Sequence, residues 1–563
     1  MPRTIQQKKA RSSSEDEDDV DSASEDAVTH PSASDSESES DDQGEGMDLF
    51  PGGRKDGASA DKTARKNIRS SAIKEKSIHD EELAHFRRRM GIRVKGSQVP
   101  EPMERFADMP SRGDEKEGGH TRRVLLENIE ASAWKEPTPI QMQAVPILLE
   151  GRDLLATAPT GSGKTAAFVL PITLRLGSQP RSPGEKGVRA VLLAPTRELA
   201  AQIHRDVVHL TRGRKLRTSL LTKAVASKGA GADSKSVLAG CDLVVSTPMR
   251  LVALLRGGSI SLSSVTMVVL DEADKLFDTG GGQEDGDKAF IAQVDEVLHA
   301  CSNTRVQRAM FSATMGDHVK ELAQTILRNP VHLTVGTANA GASTIEQRLM
   351  YVGMEEGKLL AMRQLVQEGL RPPVLVFLQS KDRAKELFHE LVYDGINVDV
   401  MHAGRTQEQR DRIIQRFRTG EIWVLICTDL MSRGIDFKGV NMVVNYDFPQ
   451  SAVSYIHRIG RTGRAGRKGI AVTLFTDEDM DSLRSIANVI RLSGCKVPDW
   501  MLSMKKLRGK DRRKREAGAP QKRPRISTVS AYDKKRAHKR QQMVQHTQRR
   551  VKKLGRHDME YIT

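Results

Sequence analysis

One stretch constrains this chain more than any other. Ala158-Pro159-Thr160-Gly161-Ser162-Gly163-Lys164-Thr165 follows the short apolar run Leu154-Leu155-Ala156 and precedes the helix-like AAFVLPITLRL. A strand, a glycine-rich turn and a helix start, in that order, make a phosphate-binding loop, here with alanine where the first glycine of the pattern stands. Gly161 and Gly163 let backbone N–H groups turn inward with no Cβ in the way. Lys164 then reaches the β- and γ-phosphates, Thr165 holds Mg2+, and the helix start adds its positive end. The bland alternative is a glycine-rich turn with no ligand. The complete GSGKT string at such a junction argues against it, so a nucleoside triphosphate is the expected ligand.

At 563 residues the chain exceeds what one core supports, so two or three domains are expected. Its formal charge of +16 points to a polyanion such as nucleic acid. The four cysteines (Cys241, Cys301, Cys427, Cys495) are scattered, which argues against a disulfide framework or zinc ribbon and for a reducing compartment. No apolar run reaches the length of a membrane span and the N-terminus has no apolar leader, so a soluble intracellular protein without a membrane partner is expected.

The ends differ from the middle. Residues 12–46 hold no Lys or Arg and alternate Ser with Asp and Glu, a composition that does not fold. Its serines are either phosphate acceptors or part of a solubilising tail. Residues 1–104 are read as this extension, with HDEELAHFRRRMGIRV (79–94) as a helix running into an extended segment and order starting near Phe106. Residues 501–563 are read as a mobile basic tail. Between Lys505 and Arg556 stand 21 Lys and Arg against three acids, an excess larger than the net charge of the whole chain. Such a segment suits phosphate binding, and KKLRGKDRRKR and QKRPR also suit nuclear import.

Between these ends, apolar runs that stop in turn chemistry alternate with helix-like stretches. DLLATAPT, VRAVLLAPTREL, CDLVVSTP, VTMVVLDEAD and RVQRAMFSAT belong to a first α/β domain, 105–340. PPVLVFLQS, INVDVMHAG, EIWVLICTD, NMVVNYDFP and GIAVTLFT belong to a second, 341–500. This alternation predicts parallel sheets covered by helices, with ligand chemistry at the strand C-termini. Only the first domain has a phosphate loop.

The chemistry-bearing strings end those runs. Asp271-Glu272-Ala273-Asp274 closes VTMVVL, 107 residues after Lys164. Asp271 is assigned to the metal, through water, and Glu272 to the attacking water. Gln141, in EPTPIQ, offers a donor and an acceptor suited to an adenine edge, and Trp134 packs either near the base or in the core. The hydroxyls of Ser312-Ala313-Thr314 suit a hydrogen bond to the Asp271–Asp274 carboxylates. In the second domain, Arg461 and Arg464 of HRIGRTGR stand three apart, as arginine fingers on the γ-phosphate would, and Asp436 suits the ribose. Arg467 and Lys468 fit a solvated or RNA-facing surface.

Taken together these strings resemble a DEAD-box ATP-dependent RNA helicase over residues 106–500. PTPIQ, APTGSGKT, PTREL, TPMR, DEAD, SAT, VFLQS, CTDLMSRGID and HRIGRTGR stand in the family's order. The resemblance implies two RecA-like domains that close on ATP, Mg2+ and single-stranded RNA, with a monomeric core. It also implies RNA contacts at Pro195, Thr196, Arg197, Thr247 and Arg250, and at Gln379, Ser380 and Thr428. SKGAGAD (227–233) stands where the family carries a Gly pair, TPMR where a Gly is common, and the aromatic that usually lies shortly before the Gln motif is either Phe106, at unusual distance across SRGDEKEGGH, or absent. KELFHELVYDGINVDVMHAGRTQEQRD, IDFKGVNMVVNYDFP and NVIRLSGCKVPDWM resemble the ROK-type subfamily. That implies pre-rRNA or snoRNA duplexes and pre-ribosomal assembly factors as partners, small ribosomal subunit assembly as the task, and nucleus and nucleolus as the place. An RNA-stimulated ATPase that separates short duplexes is the leading expectation. An ATP-timed RNA clamp is the rival, and the spelling of the motifs weighs against a DNA translocase.

Overall fold

The computed structural model describes residues 78–110, 115–178, 187–222, 240–277, 284–337, 340–428, 437, 439–464, 466–504, 523–526 and 543. All lie within one unit, Glu75–Thr563. The acidic stretch 12–46, the SKGAGAD segment, Asp436 and most of the basic tail lie outside the described residues.

The apolar runs form two sheets. The first has the order β1-β8-β2-β7-β6-β3-β5-β4, and the second β11-β12-β10-β13-β14-β9. In the first, β2 (Leu154–Thr157), β3 (Ala190–Leu193), β4 (Thr218–Leu220), β5 (Leu243–Ser246), β6 (Met267–Asp271), β7 (Gln307–Ser312) and β8 (Val331–Val335) are parallel. Only β1 (Ile92–Lys95) runs antiparallel, on the edge of β8. The second sheet, of β9 (Ile345–Tyr351), β10 (Val374–Leu378), β11 (Val398–Met401), β12 (Val424–Thr428), β13 (Met442–Asn445) and β14 (Gly469–Phe475), is wholly parallel. Helices cover both faces, so central strands such as LLAT, AVLL and VLVFL are apolar without alternation and buried throughout.

Two boundaries differ from the sequence reading. Order does not start near Phe106: residues 78–89 form the expected helix, and the extended segment after it becomes β1. β8 offers an unpaired edge that β1 completes, Ile92 is buried, and Arg87 Nε donates to Gln143 Oε1 at 2.9 Å. The C-terminal segment is not wholly a free polycation either. Residues Asp499–Ser503 form a helix whose Met501 is buried in the second domain. Arg523–Ile526 are seated on that same domain, because Arg523 meets buried carboxylates and Ile526 enters the apolar core.

Candidate active site at the domain seam

The register of the first sheet assembles the site. β7 lies between β2 and β6, with Thr157 opposite Ser312 and Asp271 opposite Phe311. The phosphate loop, the Ser312-Ala313-Thr314 turn and the Asp271–Asp274 string thus leave three adjacent strand tips at one level. Gly161 and Gly163 take φ of 79° and 92°, left-handed values that a Cβ would disfavour. Lys164 opens the helix Lys164–Ser178, with Thr165 in its first turn. The Lys164 ammonium donates to the carbonyls of Ala158 (2.7 Å) and Pro159 (3.0 Å).

Charge is crowded here. Burial pushes the Lys164 ammonium down to about 8, although the Asp271, Glu272 and Asp274 carboxylates oppose that shift. Burial, followed by the neighbouring Glu272 carboxylate, pushes Asp271 up to about 7. Glu272 takes a left-handed backbone (φ 49°, ψ 51°), which costs a non-glycine residue about 1–3 kcal/mol. Its N–H donates to Asp271 Oδ1 at 2.9 Å, while Glu272 Oε2 and Ser162 Oγ are buried with no partner among the described residues.

Asp274 is the hub that the sequence reading left without a role of its own. It accepts from Ser312 Oγ at 2.6 Å and Thr314 Oγ1 at 2.9 Å. This is the hydroxyl–carboxylate link expected of that turn, resolved to one carboxylate. His457 Nε2 of the second domain lies 2.6 Å from Asp274 Oδ2. Thr160 Oγ1 donates to Gly460 O at 3.1 Å, and Arg410 Nη1 pairs with Glu198 Oε1 at 2.6 Å. The second domain therefore packs directly on the phosphate loop.

Arg461 and Arg464 sit in the turn after the helix Ala452–Ile459. Arg461 is buried and its Nε donates to His457 O at 3.2 Å. Arg464 Nε donates to Gly460 O at 2.9 Å, and its side-chain carbons lie against Gly161. Gln141 does not present a free amide edge. Its Oε1 accepts from Thr138 N at 3.0 Å in a capping box, and its Nε2 donates to Gly163 O at 3.1 Å, tying the helix Pro139–Leu149 to the phosphate loop. Trp134 is 37% exposed, which removes the core-packing alternative, whereas Phe106 is core.

The candidate RNA residues share one structural position, the C-terminal end of a strand. Pro195, Thr196 and Arg197 follow β3, and Thr247 and Arg250 follow β5. Gln379 and Ser380 follow β10, and Thr428 ends β12. Thr196, Thr247 and Ser380 are each the N-cap residue of a helix, where N–H groups and the helix dipole favour phosphate.

Comparison with known proteins decides the family. The DEAD/DEAH box helicase family matches residues 138–322, and the helicase conserved C-terminal domain matches 357–466. The chain is 45% identical over 474 residues to the ATP-dependent RNA helicase ROK1 of Lodderomyces elongisporus, covering 84% of this chain and 82% of that protein. The chain belongs to the DEAD-box family of ATP-dependent RNA helicases. A second relative, the probable ATP-dependent RNA helicase ddx52 of Dictyostelium discoideum, is 49% identical over 427 residues. That match spans 76% of this chain and 61% of the relative's length. The likeness to ROK1 places the chain with the ROK-type DEAD-box proteins, RNA-dependent ATPases of the helicase class. Among solved structures, S. cerevisiae Dbp5 bound to RNA and ADP BeF3 superposes with a TM-score of 0.56 at 29% identity, covering 70% of this chain and 97% of that one. The two sheets are RecA-like domains of that DEAD-box fold.

Proposed function

We propose that this DEAD-box protein couples ATP hydrolysis to local separation of short RNA duplexes in pre-rRNA processing and small ribosomal subunit assembly. The observation that carries the reading is the seam itself. His457 meets Asp274, Gly460 meets Thr160, and Arg464 lies against the phosphate loop, so residues of both domains surround one candidate nucleotide site.

In this reading ATP and single-stranded RNA close the two domains, and hydrolysis reopens them. The Lys164 ammonium exchanges its loop carbonyls for the β- and γ-phosphates, and the loop N–H groups from Ala158 to Thr165 cradle them. The donor set fits Mg2+, held by Thr165 and, through water, by Asp271. Glu272 Oε2 and Ser162 Oγ, buried without a partner among the described residues, suit a polar ligand in that place. Mg2+, when bound, neutralises charge on the phosphates. Glu272 orients the attacking water and takes up its proton, while Arg461 and Arg464 stabilise charge on the γ-phosphate. Gln141 senses adenine through its link to the loop, Trp134 packs near the base, and Asp436 meets the ribose. Single-stranded RNA is gripped through phosphates and 2′-OH groups by Pro195, Thr196, Arg197, Thr247, Arg250, Gln379, Ser380 and Thr428. Pre-rRNA or snoRNA duplexes, pre-ribosomal assembly factors and a nucleolar location follow from the ROK-type kinship, with a monomeric core.

The test compares ATP turnover with single-stranded RNA and with DNA of the same sequence, alongside release of a strand from a short RNA duplex. RNA-selective stimulation with strand release is expected. Equal stimulation by DNA would contradict the substrate, and stimulation without release would leave an ATP-timed clamp.

A further inference from the structure

The seat of Arg523–Ile526 is built of buried charge. Arg523 Nη1 bonds Glu355 Oε2 at 3.0 Å and Nη2 bonds Asp479 Oδ1 at 2.6 Å, with the Arg523 side chain only 1% exposed. Beside them, Arg383 pairs with Asp447 at 2.6 Å and also with Glu355, and Lys358 Nζ lies 2.9 Å from Glu355. The domain's own share of this cluster is thus two cations against three carboxylates, and Arg523 balances it. A buried carboxylate left without a partner is costly, so the pocket selects a guanidinium.

The cluster reaches the RNA-contact string. Arg383 Nη1 donates to the Pro524 carbonyl, while its Nε donates to Asp447 Oδ2 at 3.0 Å. That same Oδ2 accepts the Gln379 N–H at 3.0 Å. Arg383 N also donates to Ser380 Oγ at 3.2 Å. The seated tail therefore holds Arg383, Arg383 holds Asp447, and Asp447 fixes the backbone at Gln379.

We propose that Arg523 is a positioning residue for RNA binding, acting through Arg383 and Asp447 to set the geometry of Gln379 and Ser380. This rests on the reading of those two residues as RNA contacts. Arg525, two positions on, is a matched control, because it has the same charge but a side chain 89% exposed and only a 3.7 Å pairing with Glu386.

The experiment uses the full chain and RNA-stimulated ATPase. Arg523→Ala should raise the KM for RNA roughly three- to tenfold, leaving kcat at saturating RNA and the KM for ATP within about twofold, with Arg523→Lys in between. Arg525→Ala should leave all three unchanged. A peptide of residues 519–528 should restore the Arg523→Ala protein, and the same peptide carrying Arg523→Ala should not. Hydrogen exchange at the Gln379 amide should quicken in the Arg523→Ala protein. An equal KM rise in the Arg523→Ala and Arg525→Ala proteins would overturn the proposal, since only tail charge would then matter. If Gln379→Ala left the KM for RNA unchanged, the RNA reading of that string would fall and the positioning role with it. An effect of Gln379→Ala without one of Arg523→Ala would overturn the positioning role alone.

Discussion

Gly460 and Thr160, from different domains, approach so closely that a Cβ on Gly460 would stand 1.8 Å from the Thr160 hydroxyl oxygen. Gly460 has φ −65° and ψ 6°, values open to any residue, so glycine here serves the seam and not the turn. Gly460→Ala should oppose closure by about 1–3 kcal/mol of overpacking, lowering RNA-stimulated turnover roughly five- to 150-fold. ATP binding to the first domain should survive. Adding Thr160→Ala should recover part of the turnover, and steady-state ATPase of the single and double variants checks this. Normal turnover in Gly460→Ala would mean that the seam is not used.

The hydrogen bond between His457 and Asp274 is the second tie across the seam. Hydrogen bonds to charged groups are worth about 1.5–3 kcal/mol, so His457→Ala should cost roughly ten- to a hundredfold in RNA-stimulated kcat/KM. Ser312 and Thr314 keep Asp274 in place in that variant. A double-mutant cycle with Asp274→Asn measures the coupling, and additive effects would count against a direct tie.

Arg461→Ala and Arg464→Ala should each lower kcat by about 10³ or more, because a finger acts on charge present only in the closed complex. Nucleotide affinity, measured by fluorescence titration, should change little. Lost ATP affinity with kcat intact would contradict the finger role.

The chain beyond the seat is open to a separate test. Deleting residues after 526 keeps Arg523 in place and removes basic residues from Lys534 to Arg556. Each phosphate contact adds about −0.7 to the slope of log K against log salt on single strands. RNA affinity measured across salt concentrations should therefore show a flatter slope, with saturated kcat preserved. An unchanged slope would show that this segment is no RNA tether.

Much of this architecture was legible because it is local. Each of the ten apolar runs named from sequence became a strand. Most are buried on both faces and so read as unbroken apolar runs, while β11 (VDVM), at the sheet edge, alternates and is only partly buried. The strands missed were β4, β8 and β9, while β1 was read only as an extended segment. β1 finds its partner β8 some 240 residues away, a pairing that no local pattern announces. The same distance hid the seam. The DEAD string says that carboxylates stand at a strand tip, but not that Asp274 takes Ser312, Thr314 and His457 together. Glu198 with Arg410, and Arg523 with Glu355 and Asp479, are ordinary charged residues until the fold brings them together. The amide of Gln141 was read for its ligand chemistry, whereas its capping box with Thr138 engages it first.

The account turns on Glu272, held in a left-handed backbone beside Asp271, with one carboxylate oxygen buried and without a partner among the described residues. The most direct test is phosphate release by the full-length Glu272→Gln protein at saturating ATP and RNA, read together with the amount of ATP and RNA it retains. The amide keeps the shape but cannot take up a proton. The account predicts turnover reduced by about a hundredfold or more, the lower range of a general base's contribution, with ATP and RNA still bound in a long-lived complex. Turnover close to that of the unaltered protein would contradict it.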